Sequence, residues 1–92
     1  MIRINVVITV KPENRERVLR LLGEMGDLSR RENGCAGYEV LENVRSRAEL
    51  MIVETWTDDG VLAAHKAADH FRRIIPEAKA LAEDWQSLRF DF

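Results

Sequence analysis

The chain has 92 residues, which is one domain's worth, and a domain this small buries only about 60–65% of the surface its unfolded chain exposes. With 14 basic and 16 acidic residues the net charge is −2, so the basic excess of a phosphate-backbone binder is missing and nucleic acid is not an expected partner. A single cysteine excludes an internal disulfide, and Cys35, His65 and His70 show no spaced metal-ligand pair, so no structural metal is expected and a second copy of the chain is the expected source of extra stability.

No apolar run approaches the ~20 residues of a membrane span, and the N-terminus opens on strand-like alternation without a signal-peptide layout. The expectation is a cytoplasmic protein with a reduced thiol and no membrane contact. Ile2, Ile4, Val6, Ile8 and Val10 fall on every second position, which predicts a strand that Pro12 stops. A helix is predicted from Glu13 or Asn14 to Arg31, with Val18, Leu21, Leu22, Met25 and Leu28 as its apolar stripe and Asn33-Gly34 as its stop. Arg15, Arg17, Arg20, Arg30 and Arg31 interleave there with Glu13, Glu16, Glu24 and Glu32, which reads as a solvated, ion-paired face.

Cys35 to Asn43 reads as a second strand, Arg45-Ser46-Arg47 as a hairpin loop, and Ala48 to Thr57 as a third strand. The run Leu50-Met51-Ile52-Val53 implies apolar surface on both faces of that strand, one of which a single helix layer leaves for a partner subunit. Asp58 is placed to cap a helix with Val61, Leu62, His65 and Ala68 on one face. A further helical piece follows with Phe71, Ile74, Ile75, Ala78, Leu81 and Ala82 inward, and Pro76 predicts a kink or restart inside it. Trp85 to Phe92 closes the chain as a strand with Leu88, Phe90 and Phe92 alternating. The order β-α-β-β-α-β predicts one α+β domain over residues 1–92, ferredoxin-like, with an antiparallel sheet, helices on one face and a homodimer formed across the other.

No phosphate loop or nucleophile motif is present, but Glu54-Thr55-Trp56-Thr57-Asp58 leads into Ala64-His65-Lys66 and His70-Phe71. His65 lies three and four positions after Leu62 and Val61 and therefore points inward, either as a satisfied core histidine or as a base. Glu54 and Trp56 share a face of the third strand, so the carboxylate needs a partner and has either a structural or a chemical role. Trp56 reads as core or as a stacking wall, and His70 as a turn cap or a pocket mouth. Asn5 is the one amide of the first strand, on the face opposite Ile4 and Val6, and Tyr38 is a possible hydroxyl donor. Cys35 has no adjacent base and is not expected to be a nucleophile.

Four segments in order carry a family pattern: Val10-Lys11-Pro12, Glu32 through Tyr38, Glu54 through Asp58, and Ala64-His65-Lys66 with His70-Phe71. On them the chain resembles the antibiotic biosynthesis monooxygenase (ABM) superfamily of small dimeric α+β barrel proteins. That superfamily includes cofactor-free quinol and polyketide monooxygenases, haem-degrading enzymes and an isomerase of a phosphorylated dione. The haem branch has a tryptophan where this chain has His65 and an iron-binding histidine near Ile75, although Asn5 lies near that branch's strand asparagine. The polyketide type has an asparagine where this chain has Ile52, and the isomerase has a first-helix histidine that is absent here. The resemblance thus implies the quinol-monooxygenase-like group: no cofactor, and a small apolar or aromatic substrate that reduces dioxygen itself. His65 is then the expected base and Glu54 its orienting or proton-sharing partner, with Trp56 and Phe71 stacking on the ring and His70, Asn5 and Tyr38 as further substrate contacts. The alternatives are a binding dimer that transforms nothing and an isomerase of the same superfamily.

Overall fold

Burial on one side accounts for the N-terminal alternation: Ile2, Ile4, Val6, Ile8 and Val10 are all buried, and the residues between them are only partly so. The computed structural model describes residues 1–92. Its elements are β1 (Ile2–Val10), α1 (Pro12–Ser29), β2 (Cys35–Glu42), β3 (Glu49–Trp56), α2 (Asp59–Ala67), α3 (Asp69–Leu81) and β4 (Ala82–Asp91). The four strands form one sheet in the order β2-β3-β1-β4, with every neighbouring pair antiparallel. The three helices cover one face, and the protein has the α+β ferredoxin-like fold.

α1 begins on Pro12 itself, one residue earlier than the earliest start expected, because proline at the first helical position gives up no bond that the helix could make. It ends at Ser29 rather than Arg31, and the chain turns through Gly34 at φ 83°. A Cβ there would sit 2.5 Å from Val61 Cγ2, so both the backbone conformation and the contact with α2 require glycine. The face of α1 read as wholly solvated is corrected at Arg15, which is only 8% exposed. Arg15 lies three positions before Val18 on the apolar stripe, and its guanidinium donates to Arg47 O at 2.7 Å and Glu42 Oε2 at 2.9 Å. Arg17 with Glu77 and Arg73 with Glu24 tie α1 to α3, so these pairs join two helices rather than decorate one.

α3 runs unbroken through Pro76, against the restart expected there. Pro76 is exposed, so water can satisfy the carbonyl that its missing N–H leaves free. The break falls instead at Ala68, whose extended backbone (ψ 147°) separates α2 from α3. β4 starts at Ala82, three residues earlier than expected, and a bulge opposite Thr9 and Val10 absorbs the register shift. Asp58 caps α2 as predicted, accepting from Val61 N–H at 2.8 Å.

The core lies between the sheet and the helices, where Leu50, Ile52 and Trp56 of β3 meet Val18, Leu22 and Met25 of α1 and Ile74 and Ala78 of α3. The other sheet face bears Leu41, Leu88 and Phe90, all exposed, with Met51 and Val53 half-buried between them.

Candidate active site

His65 is delivered inward by the last turn of α2 and is 1% exposed. The loop after α1 meets it. Glu32 is held in a turn by its own N–H on Ser29 O at 3.0 Å and by Cys35 N–H on its carbonyl at 3.2 Å. Glu32 Oε2 lies 2.7 Å from His65 Nδ1 and 2.8 Å from His70 Nε2. A carboxylate oxygen accepts, so both imidazoles donate to it, and His65 is left with Nε2 as its free nitrogen. That nitrogen is buried without a hydrogen-bond partner and faces Glu54 Oε1 at 3.6 Å.

Glu54 reaches the same point from β3, 6% exposed, and accepts from Trp56 Nε1–H at 2.9 Å. Burial pushes its carboxyl up to about 7; the indole hydrogen bond and the charge of Lys66 pull downward, and the charge of Glu32 adds to the rise. Burial also holds His65 below the ordinary imidazole range, although the hydrogen bond and charge of Glu32 oppose that. A carboxyl that can gain or lose its proton near neutral pH thus faces an imidazole that burial keeps neutral, an acid–base pair with apolar residues around it.

A cavity of about 160 Å³ opens on this pair. Ile52, Leu62, Ile75 and Trp85 give apolar walls, Phe71 closes one side, and Lys66 and Lys79 stand at the rim. A second depression of about 320 Å³ at the start of α1 is larger but holds mostly polar side chains, and its buried Arg15 already has two partners. The chemistry sits at the smaller one.

The fold brings together six of the seven residues expected from the sequence, in four settings. Glu54, His65 and Phe71 line the cavity. Trp56 lies behind His65 with ring centroids 4.2 Å apart; it is fully buried and does not line the cavity, so it supports Glu54 and His65 rather than stacking on a ligand. His70 binds Glu32 outside the cavity wall.

Tyr38 is a buried neighbour of His65, centroids 6.0 Å apart, and its hydroxyl has no partner; burial raises its pKa. Asn5 is not part of the group: it lies on the opposite sheet face, where β1 alternation must put it. Cys35 is partly buried and its thiol pKa is raised, mainly by burial, which opposes thiolate chemistry.

Glu32 is the residue that the sequence reading missed. On charge pattern it reads as part of a charged helix face, whereas it lies in the turn beyond the helix end; its sequence signals are its place two residues before Gly34 and at the head of the family segment that runs to Tyr38. The expectation of no metal site rested on spacing along the chain, yet the fold gathers Glu32, His65 and His70 with their ligand-type atoms within 4.8 Å of one another. The hub of that group is the Glu32 oxygen itself, at hydrogen-bond distance from both rings, and not an open point between them. The group therefore reads as a hydrogen-bonded bracket for His65.

Among proteins of known structure, the fold matches one from Bacteroides thetaiotaomicron VPI-5482, of unknown function and described as a "Possible Oxidoreductase", at TM-score 0.96 and 35% identity, covering 99% of this chain and 96% of that one. A solved antibiotic biosynthesis monooxygenase matches at TM-score 0.92 and 27% identity over 100% of this chain and 98% of that one. In sequence, the Bacillus subtilis (strain 168) protein named "Putative monooxygenase YcnE" is 32% identical over 81 residues, 88% of this chain and 85% of that one. The family model for antibiotic biosynthesis monooxygenase matches residues 1–77. With an acid–base pair at an apolar cavity on this fold, and a family match over most of its length, the chain belongs to the antibiotic biosynthesis monooxygenase family.

Proposed function

We propose that the protein is a cofactor-independent monooxygenase of a small electron-rich quinol or phenol, acting as a homodimer. Family membership supports a monooxygenase-like function in general. The observation that carries the finer reading is the Glu54–His65 pair at a cavity whose walls are mostly apolar. A neutral quinol passes an electron to dioxygen poorly and its anion does so readily, so removal of the phenolic proton is the step for the protein to assist. His65 Nε2, left free because Nδ1–H is given to Glu32, takes that proton, and Glu54 Oε1 stands 3.6 Å away to share it. Apolar walls keep water from the oxygen adduct. The balance closes without an external reductant: a quinol and dioxygen give a hydroxyquinone and water, with all four electrons supplied by the quinol.

The test is oxygen uptake with a panel of quinols and phenols under air and under nitrogen, with product mass. Stoichiometric oxygen uptake and a product heavier by one oxygen than the corresponding quinone are expected. The same acid–base pair would serve an isomerase of a carbonyl compound. Turnover that persists under nitrogen without oxygen incorporation selects that reading instead.

A further inference from the structure

We propose that this cavity takes a single-ring substrate bearing an acidic group, with the ring against Glu54 and His65 and the acid between Lys66 and Lys79. The proposal rests on the cavity being the substrate site and adds what the substrate looks like.

Size is the first observation. The cavity holds about 160 Å³, and a dry protein cavity of about 150 Å³ is known to hold one benzene. One ring with small substituents fills such a space. Two or three fused rings exceed it unless they stand out through the mouth or the half-buried Phe71 and Trp85 shift, since Ile52, Leu62 and Ile75 are buried core residues.

Charge is the second observation, and it is independent of the first. Two of the chain's three lysines, Lys66 and Lys79, are at the rim of this one cavity. Neither has a carboxylate within ion-pair distance, whereas six arginines make eight arginine–carboxylate pairs elsewhere on the surface. They stand on different helices, α2 and α3, on a protein whose net charge is −2. A cationic rim on a net anionic protein draws in anions that the rest of the surface repels. Ammonium groups bind a carboxylate or a phosphate as point charges, so the class is set by charge and size rather than by bidentate geometry.

The test separates this inference from turnover. 4-Hydroxybenzoate and 4-hydroxybenzamide have the same ring and hydroxyl and differ in charge. Their binding is read at low salt by quenching of indole fluorescence, since Trp85 lines the cavity. The acid is expected to bind roughly 3- to 30-fold more tightly, the span of two partly exposed ion pairs. The difference should vanish in Lys66→Gln/Lys79→Gln and shrink in high salt, while the melting temperature holds. Anthracene-9-carboxylate, with three fused rings, should bind far more weakly.

Equal affinity for acid and amide, a preference that survives the double substitution, tight binding of the three-ring acid, or no binding of either single-ring probe would each overturn the proposal. A positive result with no oxygen uptake on any quinol would leave it standing and defeat the monooxygenase reading. Oxygen uptake without the acid preference would do the reverse.

Discussion

A carboxyl buried beside an indole makes the cost of folding depend on pH. Glu54 has its ordinary value near 4.5 in the unfolded chain and about 7 in the fold, with burial as the cause. Below pH 4.5 both states hold the proton. As pH rises toward 7 the unfolded chain releases it and the native state does not, so stability falls, and above 7 the loss is complete. Its size is on the order of 3 kcal/mol. Glu54→Gln keeps an oxygen for Trp56 Nε1 and has no such titration. Its stability in urea should therefore gain on the native protein between pH 4.5 and 7 and then run parallel to it; a difference independent of pH would show that Glu54 is not buried neutral. His65 carries the second residue-scale prediction. On a quinol substrate His65→Ala should lower turnover by roughly 10²–10⁴, with a smaller change in binding and partial repair at higher pH, where bulk solvent ionises the quinol. Unchanged turnover would remove His65 from the chemistry.

At the scale of elements, the turn after α1 does two jobs. It reverses the chain into β2, and it holds Glu32 under His65 and His70. Gly34 makes both possible, with φ 83° and Val61 where a Cβ would go. Gly34→Ala should cost roughly 1–3 kcal/mol by chemical denaturation from backbone strain and the clash together. Adding Val61→Ala should return only part of that, because it removes the contacts with Val61 and leaves Thr57 Oγ1 at 2.8 Å and the backbone strain. Full recovery would mean that the φ requirement is absent. The imidazole ¹⁵N shifts of His65 should move with Gly34→Ala, since the turn is what brings Glu32 to Nδ1.

For the whole molecule, the outer sheet face is the matter left open by one helix layer. Leu88, Phe90 and Phe92 are exposed along β4 and its end, Arg3 lies over the Phe92 ring at 5.7 Å, and the buried Asn5 Oδ1 on this face lacks a partner. Apolar surface with an orphaned amide is what a second sheet would cover. Light scattering after gel filtration should give about twice the 10.6 kDa chain mass, and Leu88→Lys/Phe90→Lys should give the monomer. A native monomer at micromolar concentration would refute the sheet-to-sheet dimer. Such a dimer leaves the cavity free, because the cavity opens between the sheet and the helices on the other face.

Periods of two and of three to four residues in β1, α1 and α2 determined the elements and their buried faces, because side-chain direction is a local property of the backbone. They also determined that His65 points inward and that Glu54 and Trp56 share a face. What the tertiary structure decided is what those side chains meet. Glu32 lies 33 positions from His65 and 38 from His70, and no spacing rule reaches across a closed loop of that length. Asn5 sits on the far side of a sheet whose two faces alternate, so its assignment to the pocket depended on where the helices pack. Trp56 and Phe71 were alike as aromatic neighbours in sequence; packing put one behind His65 and the other on the cavity wall. Local pattern fixes which way a residue faces, whereas its partner and its pKa depend on long-range burial, which is settled only when the sheet and the helices close on one another.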